Sequence, residues 1–107
     1  MPRRVQRKRA KGWQLPPAAV IVTRPTKWGN PFTEREARQD GRREPHAWIV
    51  SAHRRWLKGD PEFADRYPEQ RARVLADIEE LRGKTLCCWC RPEEECHADT
   101  LLELANR

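Results

Sequence analysis

The sequence predicts an α/β domain: a small, mostly parallel sheet of two or three strands with a helical crossover and a C-terminal helix. Three observations carry this. Two short apolar runs, residues 18–24 and 84–90, have the composition of buried strands. Helical periodicity fills the stretch between them. The resulting order of strand, loop, helices, strand, loop, helix suits two parallel strands joined by a crossover. The length of 107 residues fits one domain, 1–107, with one modest core.

Residues 1–12 read as a basic arm, in which a strand near Val5 would add a third member to the sheet. Pro16 and Pro17 stiffen an extended lead-in. Ala18-Ala19-Val20-Ile21-Val22-Thr23-Arg24 is the first strand, closed by Pro25. Turn formers run through Pro25-Thr26-Lys27-Trp28-Gly29-Asn30-Pro31-Phe32, so it is a loop. Thr33 and Glu36 make a capping-box pattern and open a short helix that Asp40-Gly41 ends. Pro45 opens a second helix over 45–58, with Trp48, Ala52 and Trp56 on one face and Ile49 beside them. Asp60-Pro61 starts another short helical turn. Pro68 begins a longer helix reaching residue 82, striped by Val74, Leu75, Ile78 and Leu81 and capped by Gly83. Lys84-Thr85-Leu86-Cys87-Cys88-Trp89-Cys90 is the second strand. Residues 91–95 form an acidic loop, and 97–106 form the last helix, with Leu101, Leu102 and Leu104 as its apolar residues.

Hydrophobic residues make up 37% and charged residues 36% of the chain. No apolar run approaches the roughly 20 residues of a spanning helix, so no membrane partner is expected. The basic N-terminus lacks the apolar stretch of a secretory signal. The expected compartment is the cytoplasm, where the four cysteines stay reduced and serve metal binding or thiol chemistry. Arg3, Arg4, Arg7, Lys8, Arg9 and Lys11 together equal the whole formal net charge of +6. The positive field is therefore concentrated in the arm. Such a patch attracts phosphate and is the candidate nucleic-acid contact; a solvated tail is the alternative.

Parallel strands would send both loops out of the same sheet edge, where ligands of open α/β sheets bind. In the first loop, Arg24 and Lys27 suit phosphate or carboxylate. Trp28 suits a base or sugar face, and Asn30 can both donate and accept hydrogen bonds. The competing reading makes Trp28 and Phe32 core plugs and Asn30 a support for the turn. The second cluster is Cys88-Trp89-Cys90 followed by Cys96-His97. On a strand, Cys88 and Cys90 share a face. With Cys96 they offer three thiolates to zinc, and His97, His46 or His53 a fourth ligand. The spacing departs from a paired C-x2-C pattern, which favours a metal-free site, with zinc as the candidate cofactor. Cys88 also fits plain burial. Cys96 stands at a helix start, where a thiol is activated, so Cys96, His97 and Asp99 are the candidate catalytic residues. Asp99 stabilises the first helical turn in either case.

Three motifs stand in order over nearly the whole chain. They are Val5-Gln6-Arg7-Lys8-Arg9 through Lys11-Gly12-Trp13, Arg24…Lys27-Trp28-Gly29-Asn30-Pro31-Phe32, and Cys88-Trp89-Cys90…Cys96-His97-Ala98-Asp99…Leu101. The chain in this respect resembles a family of small proteins of actinobacteria and their bacteriophages, classed as a domain of unknown function. The resemblance implies that the basic opening belongs to the domain, and it supports the choice of site residues. It implies no particular activity. The expected function is binding of a nucleotide or nucleic acid between the 24–32 and 90–99 loops, with catalysis by the Cys-His-Asp group as a further option. The alternative is a structural-zinc module with a non-enzymatic role, such as a phage factor that binds a host protein.

Overall fold

The basic opening is partly sheet. A computed structural model describes residues 3–107, so residues 1–2 of the expected arm lie outside the described residues. Arg4–Gln6 form β1, Ala19–Ile21 form β2 and Thr85–Cys88 form β3. The three make one parallel sheet in the order β1-β3-β2. Val5 and Ile21 both stand level with Cys87. The expected parallel pairing and the third strand near Val5 are therefore present.

Both predicted strands are shorter than their apolar runs. Ala18 takes a left-handed conformation (φ 59°), and Ala19 N–H turns back to the Pro16 carbonyl at 3.2 Å, so β2 begins only at Ala19. At the other end of β3, Val22 N–H reaches the Cys87 carbonyl at 3.0 Å, and Arg7 N–H donates to the Cys88 carbonyl. Beyond Val22 the chain turns, with Thr26 N–H on the Thr23 carbonyl at 3.0 Å. Residues after Cys88 thus have no strand to pair with, and Trp89 and Cys90 bend away from the sheet.

The described residues form four α-helices: α1 (Glu34–Gln39), α2 (Pro45–Leu57), α3 (Pro68–Asp77) and α4 (His97–Ala105). Thr33 Oγ1 caps α1 by accepting from Glu36 N–H at 3.1 Å, and Pro45 sits in the first turn of α2. The expected helix over 68–82 tightens into a 3-10 turn at Ile78–Leu81. The short turn expected at Asp60-Pro61 is present as a single turn, in which the Asp60 carbonyl takes Phe63 and Ala64 N–H at 2.9 and 2.8 Å. Leu86 and Cys88 share a face of β3 and join Val22, Trp56, Leu81 and Leu101 in one buried core. Among the described residues no helix is long and apolar enough to cross a membrane.

The 24–32 loop is seated by its own aromatic residues. Phe32 is fully buried. The rings of Trp48, Trp56, Phe63 and Tyr67 meet it edge-on, with centroids 5.5–6.3 Å away, the favoured geometry for such pairs. Helix α3 and the 3-10 turn that follows it clasp the loop from outside. Gln70 Nε2 donates to the Gly29 carbonyl at 2.8 Å, and Lys27 Nζ pairs with Asp77 at 2.9 Å and Glu80 at 3.1 Å.

Candidate functional site

The loops after β2 and β3 leave the same edge of the sheet, as parallel strands require, and a cleft of about 420 Å3 opens between them. Arg24 and Asn30 border it on one side, Cys88, Trp89 and Cys90 on the other, with His46 of α2 and His97 of α4 completing the wall. The two regions singled out by sequence thus face each other across one space. Lys27 and Trp28 do not border this cleft. Lys27 lines a separate hollow beside α3, where Asp77 and then Glu80 hold its ammonium above its usual pKa. Trp28 is only 5% exposed and belongs to the core.

Arg24 and Asn30 organise each other. Arg24 Nε donates to the Asn30 carbonyl at 2.8 Å and Nη2 to the Phe32 carbonyl at 3.1 Å. Asn30 is itself buried. Its Nδ2 donates to the Ile49 carbonyl at 3.0 Å, while its Oδ1 accepts Phe32 N–H at 3.0 Å. The glycine between them has a steric cause. A Cβ on Gly29 would stand 2.8 Å from Arg24 Cγ and 3.1 Å from Arg24 Cα, inside van der Waals contact. Only a hydrogen side chain lets the loop fold back over Arg24.

Opposite Arg24, three sulfurs converge. Those of Cys88, Cys90 and Cys96 lie within 4.8 Å of one another, and all three thiols are free. Cys87, facing the other side of β3, is buried and apart from them; burial pushes its thiol pKa up. Cys96 is the N-cap of α4. Its Sγ accepts Ala98 N–H at 3.5 Å, and its own N–H donates to Asp99 Oδ2 at 3.2 Å. The sequence points to Cys96 as the acidic thiol, yet its pKa is raised, first by its hydrogen bond to Cys88. Hydrogen bonds from Cys90 and Cys96, with Arg4 also beside it, pull the Cys88 thiol far below the usual value. Cys90 moves up correspondingly through its bonds to the other two thiols and burial.

The histidines around the cluster are tied to backbone. His97 Nε2 meets the Val22 carbonyl at 2.8 Å, which places the bare Nδ1 toward Cys96 Sγ, 3.7 Å away. Burial lowers the His97 pKa. His46 Nε2 lies 2.6 Å from the Glu95 carbonyl and 3.9 Å from Cys90 Sγ. His53 is packed edge-on against His97 at 5.3 Å between centroids and borders no part of the cleft.

Sequence alone does not single out Trp89 and gives Arg4 a different role. Trp89 is the exposed indole on the cleft, with the Arg7 and Arg9 guanidinium carbons 4.6 and 4.7 Å from its ring centroid. The bend after Cys88 is what turns it outward, and no local pattern announces that bend. Arg4, expected as a phosphate contact, has a side chain only 14% exposed and pairs with Asp99 at 3.0 Å. It also donates to the Pro92 and Glu94 carbonyls. Arg7 donates to Thr23 Oγ1 at 2.8 Å, while Arg3, Lys8, Arg9 and Lys11 remain exposed.

A family model described as a domain of unknown function (DUF4326) matches residues 5–107. No curated protein and no solved structure matches the chain.

Proposed function

The chain belongs to the family described as a domain of unknown function (DUF4326), and from that starting point we propose that it binds a nucleotide, free or within a nucleic acid, in the cleft between the 24–32 and 90–99 loops. The observation that carries this reading is the place and make-up of the cleft. It opens at the carboxyl edge of a parallel sheet, the usual ligand position in such folds. Its volume of about 420 Å3 falls in the range of small-molecule sites. Arg24 borders it with two guanidinium nitrogens already fixed on loop carbonyls. The remaining nitrogen serves a phosphate without further ordering of the side chain.

Trp89 supplies the stacking face for a base, the role that the sequence suggests for Trp28, once the Arg7 or Arg9 side chain swings off its ring. Arg7 and Arg9 already lie against its ring and bring positive charge to the same rim. Glu34 and Glu94 also border the cleft and provide acceptors for sugar hydroxyls or base amino groups. The test is a calorimetric titration with nucleoside phosphates and short single-stranded oligonucleotides at low and physiological salt. Saturable binding should appear and weaken about tenfold in Trp89→Ala and in Arg24→Lys. If none of these probes saturates the protein, the reading fails.

A further inference from the structure

Cys88 ends β3, Cys90 follows in the bend, and Cys96 caps α4, yet their sulfurs lie within 4.8 Å of one another. Two thiolates on one tetrahedral zinc, with Zn–S near 2.3 Å, are about 3.8 Å apart. Small side-chain rotations would therefore bring all three onto a single ion. We propose that Cys88, Cys90 and Cys96 hold a zinc ion as three thiolates, with its fourth coordination position open to the cleft.

Several features support the assignment. The three ligands come from a strand end, a bend locked to that strand, and a helix cap, so the geometry is fixed before the ion arrives. An iron-sulfur cluster would spread its thiolates wider than these sulfurs stand; a close trio suits one ion. The surroundings match a thiolate centre. Ala98 N–H already points to Cys96 Sγ. Three thiolates and Zn2+ leave one net negative charge, and Arg4, whose guanidinium pairs with Asp99 at the Cys96 cap, is the cation beside them. Its Nη1 is buried without a partner, as expected of a donor set against groups that are charged only when metal is bound. Arg4 in turn holds Asp99, whose carboxylate accepts the N–H of Cys96.

The open position follows from what borders the cleft. Cys88 and Cys90 line it. His46, the imidazole nearest Cys90 on that side, is engaged by the Glu95 carbonyl at 2.6 Å, and His97, whose Nδ1 stands 3.7 Å from Cys96 Sγ, is not among the groups whose ligand atoms converge. A zinc with three protein ligands keeps a place for water or for a donor atom of a bound molecule. The inference stands on the thiol geometry and does not need the cleft to take a nucleotide.

The experiment uses the full chain purified without chelator. Elemental analysis should give about one zinc per chain. Cobalt added to the stripped protein should give the sulfur-to-metal charge-transfer band and intense visible bands of a tetrahedral thiolate site. Cys88→Ser, Cys90→Ser and Cys96→Ser should each lose the metal, while Cys87→Ser and His46→Ala keep it. Imidazole added to the cobalt form should shift the visible bands without releasing the ion. Wild-type protein that carries no zinc and gives no cobalt band overturns the site, whatever the variants do. A cobalt spectrum unmoved by imidazole, or metal lost in His46→Ala, overturns the open position.

Discussion

Arg4 Nε and Asp99 Oδ1 stand 3.0 Å apart and join the first strand to the first turn of the last helix. Arg4 also donates to the Pro92 and Glu94 carbonyls, so one side chain ties β1 to the whole loop that carries Cys90 and Cys96. Arg4→Met should lower folding stability by about 1–3 kcal/mol, because a largely buried guanidinium gives up its ion pair and its two loop-carbonyl hydrogen bonds. Removing residues 1–11 should do more, since it strips an edge strand from the sheet. Chemical denaturation checks both. A full-stability truncation would show that β1 contributes nothing.

Gly29 faces Arg24 too closely for any side chain. Gly29→Ala should destabilise the protein by about 1–3 kcal/mol through overpacking. It should also weaken whatever the cleft binds, because Arg24 is the group that must move. Comparing the melting temperature with the ligand affinity of this variant separates the two effects. A variant with normal values for both would show that the loop accommodates a methyl group.

The two indoles should behave oppositely. Trp28, in the core, should cost about 3–5 kcal/mol when cut to alanine. Trp89, 39% exposed, should barely alter melting in Trp89→Ala yet reduce nucleotide binding. Thermal melts and titrations of both variants give the answer. A stable Trp28→Ala protein with impaired binding would reverse the assignment.

His53 is buried, with Nδ1 lacking a partner. Burial, and then the charge of His97, hold its pKa well below the usual value. Above about pH 6.5 it is neutral in both folded and unfolded chains. As pH falls below that value the unfolded chain takes up a proton that the folded protein refuses, so stability declines toward the lower folded-state pKa. One histidine contributes a slope of at most about 1.4 kcal/mol per pH unit. His97, lowered chiefly by burial, acts in the same direction. Denaturation curves between pH 7 and pH 5 should show the decline, and His53→Leu should flatten it. A wild-type curve flat over that range would mean that His53 accepts its proton in place.

Much of this architecture is legible in the sequence because its signals are local. Thr33 and Glu36, Pro45 and Gly83 mark helix ends through their own backbone chemistry. The order of apolar runs and helical stretches implies parallel strands, and hence that Arg24 and Cys90 meet at one edge. The spacing of Cys88, Cys90 and Cys96 departs from a paired C-x2-C pattern, and it is the fold that brings their sulfurs within 4.8 Å of one another. Other features depend on partners distant in sequence. Nothing near Arg4 tells that Asp99 and two loop carbonyls will enclose it. Nothing in the 24–32 loop tells which aromatic ring goes inward, because Trp28 is drawn into the core by packing while Trp89 is turned outward by the loss of a strand partner.

The sheet is assembled from its flanks inward. β1 and β2 are both paired to β3 and not to each other, and β3 is the last of the three in the chain. During synthesis the two outer strands leave the ribosome with open edges and wait for residues 85–88. Any nascent chain shorter than that has no sheet at all. Such long-range pairing slows folding and leaves unpaired strand edges exposed in the meantime. A chain paused or cut before residue 85 should therefore be a substrate for chaperones and proteases, even though it already contains the complete 24–32 loop.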